Sequence, residues 1–532
     1  MSDGVVFALA GSACVEPLVG RWPAWAHVMA PAAFSLHLVN YQVKTLRSYL
    51  DNPGLHEKSC RDPRLLGGAF VDIPSERTPE VAALLRDMED SLKENVDFAN
   101  ALTEFHNWLV REAKGESLEG YYRRLPSALR GYVELVYDYY NRPIVRCLEG
   151  MLYNSPYYKR DLQSFRLFRQ EHDHSRPYYM STPRLVDENA IDWHVRFDDP
   201  RVDELFGLDC RPRSFGEIRE LLDLSPEDEG RLAGLLQEVR PERREGWRGS
   251  GVRIRYFGHA CVLVESADVS ILIDPLIAVR PESCDIERFS YDDLPDQIDY
   301  ALITHGHHDH FVIETLLRLR HKIKTLVVPK NCDAFFADMS LRLLARQLGF
   351  RDVREVECLD ELAIADGQII AIPFLGEHND LPSAKSAYFI RICGQTLLFA
   401  ADSNCLDPAI YAHVCRITGP IDTLFVGMEC VGAPLAWVYG PILPIKPDHR
   451  HSKDRRSNGC NSAAAFELAR AIQCRRAFVY AVGREPWVRY LLALEPSDDD
   501  VYMTEIGSFA RRLEEEAQVE ARRLFGKAEF YM

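Results

Sequence analysis

The stretch that decides the fold reads Tyr300-Ala301-Leu302-Ile303-Thr304-His305-Gly306-His307-His308-Asp309-His310. Residues 300–303 have the apolar, β-branched character of a buried strand, and polarity changes abruptly at Thr304. Four ligand-type side chains, His305, His307, Asp309 and His310, then fall within six positions. A strand that ends in a turn splays such neighbours around two metal ions, and imidazole with carboxylate suits zinc or iron.

Working outward, short apolar runs alternate with turn signals over residues 252–532. Residues 253–256, 262–264 and 271–273 read as a meander. The strand pattern continues at 300–303, 325–328, 369–372, 387–392, 396–399, 423–426 and 477–480, with helices expected at 334–348 and 463–472. This is an α/β layered domain of about 280 residues, within the reach of a single core. The N-terminal part has a different grammar, helical or irregular and rich in Tyr, Arg and Leu. Residues 78–113 open on Thr78-Pro79-Glu80 and carry apolar residues at helical spacing, and a second helix is expected at 226–238 behind Ser225. The charged, then glycine-rich stretch 240–251 reads as a linker. The expected domains are therefore 1–245 and 246–532.

The order H-x-H-x-D-H resembles the metallo-β-lactamase fold superfamily, from about residue 252 to the C-terminus. That resemblance implies an αββα sandwich. Gly258-His259 and Leu272-Ile273-Asp274-Pro275 look like its opening hairpins. In the family the latter aspartate orients a metal-bound histidine by fixing its tautomer, so Asp274, with His259, is expected behind the ligands. Asp402, ending the strand before Ser403, stands where the family places its bridging carboxylate. Two positions depart from the pattern. Where another histidine is usual, this chain has Phe374-Leu375-Gly376-Glu377-His378-Asn379-Asp380-Leu381, so either Glu377 replaces that histidine or His378 is the ligand one residue on. The final family histidine is missing after residues 479–482; His449 or His451 in the basic loop is a substitute, or the second metal is more open.

A carboxylate at Glu377 adds hard anionic oxygen, which favours iron, although manganese or a tuned zinc pair also accepts it. Together with the helical N-terminal half, the chain resembles the diiron β-hydroxylases that work with nonribosomal peptide synthetases. The resemblance implies two iron ions, O2 as cosubstrate and an external electron donor. It further implies β-hydroxylation of an aromatic amino acid, L-p-aminophenylalanine in chloramphenicol-type antibiotic biosynthesis, held on a carrier domain by phosphopantetheine. The partners it implies are the carrier domain, an electron-transfer protein or reductase, and a second copy in a homodimer, with the N-terminal domain serving dimerisation and docking. The aromatics Trp437 and Tyr439 are candidates for an aryl pocket, and Lys446, Arg450, Lys453, Arg455 and Arg456 for contact with the carrier. A dizinc or dimanganese hydrolase, such as a lactonase or phosphodiesterase, is the competing reading, and a docking protein with a degenerate site is a third.

Composition limits the remaining choices. The 532 residues carry 63 Lys and Arg against 80 Asp and Glu, a net charge of −17 that argues against a nucleic-acid or anionic-membrane partner. The 14 cysteines form no C-x-x-C pair and sit mostly in apolar runs, as buried free thiols of a reduced cytoplasm would. No apolar run is long enough to span a membrane, and the first basic residue, Arg21, comes too late for a signal peptide.

Overall fold

The computed structural model describes residues 5–240, 244, 246–332, 339–378, 384–445, 448–495 and 497–532. Its C-terminal part is an αββα sandwich of two seven-stranded sheets. The first sheet runs in the order Val353–Val356, Ile323–Pro329, Ile298–Leu302, Ser270–Ile273, Cys261–Glu265, Arg253–Gly258, Ala528–Tyr531. The second runs Glu361–Ile364, Gly367–Ile372, Ala387–Ile392, Gln395–Phe399, Thr423–Gly427, Arg476–Tyr480, Glu520–Arg523.

Alternation along each strand divides its side chains between two cores. Ile254, Val262, Ile271 and Leu302 of the first sheet meet Ile390, Phe399, Phe425 and Tyr480 of the second. Leu398, Leu424 and Val426 point the other way, onto the helices Pro408–Thr418, Ser462–Ile472 and Val501–Arg512. Leu263, Leu272 and Ala301 leave the first sheet for a core that continues into the N-terminal half, where it includes Phe98, Leu102 and Trp193. Because both faces of each sheet are covered, the strands read as continuous apolar runs. Three parallel strands, Ser270–Ile273, Ile298–Leu302 and Ile323–Pro329, lie side by side. In the other sheet Gln395–Phe399, Thr423–Gly427 and Arg476–Tyr480 do the same. The chain leaves these strands at one end of the sandwich, the usual place for a site in parallel sheets.

The N-terminal half is less purely helical than expected. It holds a four-stranded sheet, Trp22–Pro23, Ala13–Val19, Gln163–Arg169 and Ile191–Trp193, and a hairpin of Val133–Tyr137 with Pro143–Cys147. The helix expected over 78–113 is two helices, Thr78–Ser91 and Lys93–Glu112, broken at Leu92 where φ is −110° and ψ 17°. The expected helix at 226–238 stops at Leu235, because Leu236–Glu238 pairs with Phe7–Leu9 as a strand. Of the helix expected at 334–348, residues 334–338 lie outside the described residues and Leu341–Gln347 is helical. Cys14, Cys147, Cys261, Cys405, Cys460 and Cys474 are buried, but Cys284, Cys358 and Cys393 are exposed, the last in a turn with φ 47°.

Candidate metal centre

Each side chain of the centre is delivered by the end of a strand. Ile298–Leu302 leads through Thr304 into residues 305–310, Ser270–Ile273 ends at Asp274, Arg253–Gly258 ends at His259, and Gln395–Phe399 leads to Asp402. Three of the residues at these ends have left-handed backbone: Asp274 (φ 39°), His259 (φ 51°) and Ala401 (φ 47°). Non-glycine residues rarely stay there unless the surroundings force them, and such positions collect at functional sites. Gly427 closes the strand Thr423–Gly427 against Asp402, and a Cβ there would lie 2.7 Å from Asp402 Oδ1.

Two triads of donor atoms, His305 with His310 and Asp402, and His259 with Asp309 and His310, each lie within 4.8 Å of one another. His310 belongs to both. Its Nε2 is 3.0 Å from Asp402 Oδ2 and 3.6 Å from Asp309 Oδ2, while its Nδ1 faces Asp274 Oδ2 at 2.8 Å. Asp274 is itself fixed by the Thr304 backbone N–H and hydroxyl, which donate to its two oxygens at 2.7 Å. His259 Nε2 lies 2.9 Å from Asp309 Oδ2. His307 has its Nε2 on the Tyr439 hydroxyl at 2.5 Å, which leaves Nδ1 for another partner. His308, between two candidate ligands, points away and binds the Leu491 carbonyl at 2.9 Å.

The electrostatics fit a cation site. Burial works against charging His310, yet Asp402, Asp309 and Asp274 outweigh it and hold its pKa well above the ordinary imidazole value. In turn His310 keeps Asp402 and Asp309 below the usual carboxylate range in spite of their burial. Burial and the neighbouring imidazoles push His305 well below its ordinary value and His307 to about 3, so both are neutral, as metal ligands must be. His305 Nε2 and His378 Nδ1 are buried without any hydrogen-bond partner. Orphaned imidazole nitrogens beside carboxylates that lack cations are what a metal pair would satisfy.

The structure separates the two candidates at the variable position. His378 is 2% exposed, with Nε2 3.7 Å from Asp402 Oδ2 and its ring 5.4 Å from that of His307. Glu377 is not brought into the cluster; its side chain is 47% exposed and accepts from Arg455 Nε at 3.1 Å. The turn is made at Gly376 (φ 108°), and a guanidinium outside holds the carboxylate where solvent already favours it. His449 begins the helix His449–Asp454, but its side chain lies outside the described residues; His451 is exposed. Lys446 and residues 379–383 are also outside them.

Glu429 and Tyr439 are the site residues that sequence reasoning did not single out as functional or placed only as pocket lining. Glu429 follows Thr423–Gly427 by two positions and lines the cavity beside Asp402. Burial, with the charges of Asp402 and Asp309, raises its carboxyl well above the usual range. A glutamate just beyond a site-facing strand is the one signal that could have found it. The centre forms the floor of a cavity of about 490 Å³, walled by Leu65, Leu66 and Phe70 from the N-terminal half and by Pro434, Trp437 and Leu492 from the sandwich. Trp437 Nε1 donates to the Gly67 carbonyl at 2.7 Å and ties the two walls together. Arg64 and Arg456 also border it. The size suits a small organic ligand, and the apolar walls suit an aryl group.

Residues 8–240 match the family described as diiron non-heme β-hydroxylase N-terminal domain, and residues 253–398 match the β-lactamase superfamily domain. The 4-amino-L-phenylalanyl-(CmlP peptidyl-carrier-protein) 3-hydroxylase of Streptomyces venezuelae is 32% identical over 498 residues, covering 92% of this chain and 93% of that protein. The crystal structure of CmlA, a diiron β-hydroxylase from Streptomyces venezuelae, matches with a TM-score of 0.92 at 30% identity over 99% of this chain and 100% of that one. A CmlA variant matches with a TM-score of 0.90, again at 30% identity, over 99% of this chain and 100% of that one.

Proposed function

The chain belongs to the diiron non-heme β-hydroxylase family, and from that premise we propose that it hydroxylates the β-carbon of an aromatic aminoacyl group, 4-amino-L-phenylalanyl by likeness to its relative, held on a carrier domain. It is an enzyme of the dinuclear-iron monooxygenase type. The observation that carries the substrate reading is a pair of donor triads sharing His310 at the floor of an apolar cavity of about 490 Å³. Bound there, two iron ions supply activation of O2. His305, His307, His310, Asp309 and Asp402 would hold them, with Asp274 fixing the His310 tautomer and His259 standing behind Asp309. The remaining position falls to His378 in the arrangement seen, with Glu377 as the alternative. Replacing C–H by C–OH with one oxygen atom while the other leaves as water consumes two electrons from an external reductant and two protons.

The walls serve positioning. Leu65, Phe70 and Trp437 would exclude water from the reacting carbon and hold the ring, while the exposed Arg450, Lys453 and Arg455 face the acidic surface expected of a carrier domain. The N-terminal half thereby contributes to the substrate site as well as to the docking and dimerisation proposed for it. The test is iron-loaded protein, reduced and exposed to O2 with a 4-amino-L-phenylalanyl-loaded carrier. About two irons per chain and a product heavier by one oxygen atom support the reading; two zincs with lactone or phosphodiester cleavage overturn it.

A further inference from the structure

Among the described residues, a third group of metal-type donors lies away from the diiron centre. Asp209, Cys210 and His321 each offer a donor atom, and the three atoms lie within 4.8 Å of one another. Asp209 closes the 3-10 turn Gly207–Asp209 in the N-terminal half, and Cys210 caps it. His321 stands between the helix Ile313–Leu319 and the strand Ile323–Pro329 of the sandwich. The Ile298 N–H donates to the Lys322 carbonyl at 2.9 Å, so His321 lies where the strand Ile298–Leu302 begins, whereas His305 follows its end. At about 3.3 Å per residue the strand separates the two places by on the order of 16 Å.

Both ring nitrogens of His321 and the Oδ1 of Asp209 are buried with no hydrogen-bond partner. His321 Nε2 and Asp209 Oδ1 face each other at 3.8 Å, beyond hydrogen-bond reach but near the spacing of two ligands on one ion. Zinc holds nitrogen and oxygen at about 2.0–2.2 Å and sulfur at about 2.3 Å, so tetrahedral neighbours sit roughly 3.3–3.5 Å apart. Asp209 keeps Oδ1 free because Oδ2 takes Lys322 Nζ at 2.9 Å and faces Arg244 Nη1 at 3.8 Å. The Cys210 thiol donates to Asp296 Oδ1 at 3.1 Å, which sets a second carboxylate against the sulfur. Asp296 is held in turn by the linker: its N–H donates to the Arg244 carbonyl at 3.0 Å, and its Oδ2 accepts from the Arg244 N–H at 3.1 Å. Asp292 joins the group through Arg244 Nη2 at 3.0 Å. Three carboxylates and a Cys210 thiolate against two cations, Lys322 and Arg244, leave two negative charges, which one divalent ion would balance.

We propose that Asp209, Cys210 and His321 bind one zinc ion, with Asp296 in the fourth position, and that the ion fastens the N-terminal half and the linker to the sandwich. Thiolate and imidazole in one donor set select zinc over the harder magnesium and calcium. Without a cation, burial and the charge of Asp209 push the Cys210 thiol up to about 12, so zinc enters by displacing the thiol proton to solvent. The ion bridges the two halves that together wall the substrate cavity, and so holds those walls in register. It uses none of the residues at the cavity floor and stands apart from the monooxygenase reading.

The test adds zinc to the full chain with its iron in place, removes unbound metal by gel filtration and counts the metals that remain. About one zinc beyond about two irons is expected in the unaltered chain, and none in Cys210→Ser or His321→Ala, with iron unchanged in both. Zinc should also raise the thermal midpoint of the unaltered chain and leave that of the variants where it is. Cobalt is the second probe: a thiolate-to-cobalt charge-transfer band is expected in the unaltered chain and lost in Cys210→Ser, since no cysteine stands among the residues assigned to the diiron centre. No zinc uptake, zinc kept in both variants, or zinc gained only as iron is lost would each overturn the proposal, the last two by placing the ion elsewhere. Should the variants not fold, the unaltered chain decides alone, because cobalt bound without a thiolate band refutes the site.

Discussion

Among the described residues, two buried charge clusters are built on opposite principles and repay comparison. At the junction of the two halves, Glu16 accepts from Arg184 Nε at 2.7 Å and Arg176 at 2.8 Å, and Arg176 reaches Glu314 at 2.6 Å. Two carboxylates meet two guanidiniums, and Arg176 also lies 3.7 Å over the Tyr490 ring. The metal centre holds Asp274, Asp309, Asp402 and Glu429 with only His310 raised toward the charged form. One cluster is complete in the protein alone, while the other is complete only when cations arrive from outside. Buried charge without an internal partner therefore marks function here, and buried charge with one marks architecture.

Removing a ligand should break this comparison most sharply. Asp402→Ala or His305→Ala is expected to lower iron below about two per chain and to abolish hydroxylation, with little loss or even a gain in thermal midpoint, because repulsion or desolvation is relieved. Metal analysis and thermal melts read both quantities. Glu16→Gln should do the reverse, leaving Arg184 without its carboxylate and Arg176 with Glu314 alone, and costing roughly 3–5 kcal/mol of stability with the metal ligands untouched. The pH dependence gives the sign. Burial opposes ionisation of Glu16, but Arg184 and Arg176 prevail and lower it from 4.5 to about 2. Its contribution is complete above pH 4.5 and is lost as pH falls toward 2, so the denaturation difference between Glu16→Gln and the unaltered chain should shrink across that window.

Smaller effects sharpen the contrast within the centre. Asp274→Asn retains a polar group but gives up a charge on His310 Nδ1, and a cost of about 10–100-fold in metal affinity is expected, measurable by chelator competition. For the variable position the seated arrangement predicts that His378→Ala lowers iron content whereas Glu377→Gln retains it. The reverse result would mean that the loop turns by one residue at Gly376 when metal binds.

What could be read in the sequence follows from the same distinction. Residues 304–310 announce themselves because ligand types crowd the end of an apolar strand, whereas Asp274 and Asp402, single aspartates at strand ends, are legible only through the resemblance to the metallo-β-lactamase fold; the buried interior strands carry unbroken apolar runs. The strands Val353–Val356, Glu361–Ile364, Glu520–Arg523 and Ala528–Tyr531 escaped because they border their sheets and alternate with polar residues. Ala13–Val19 escaped because Glu16 and Pro17 sit in its middle, and only Arg176 and Arg184, about 160 positions away in the chain, make burying Glu16 tolerable. Tyr439 and Glu429 owe their roles to contacts that local sequence does not encode. The placement of Glu377 and His378 is set by competition between Arg455 and the centre.

That competition supplies the weakest and most selective test. The pair of Arg455 with Glu377 is 3.1 Å long, with both side chains nearly half exposed. Solvent screens such a pair, so Arg455→Ala should change stability by no more than about 0.5 kcal/mol. The same guanidinium stands among the cations proposed to meet the carrier. A rim charge acts chiefly on encounter, so Arg455→Ala should slow carrier association several-fold at low salt, with the difference fading as ionic strength rises. Stopped-flow binding at two salt concentrations separates this from any effect on the metal centre, since iron content would be unaltered. An unchanged association rate would remove Arg455 from the docking surface, while a loss of iron would show that its hold on Glu377 governs the centre instead.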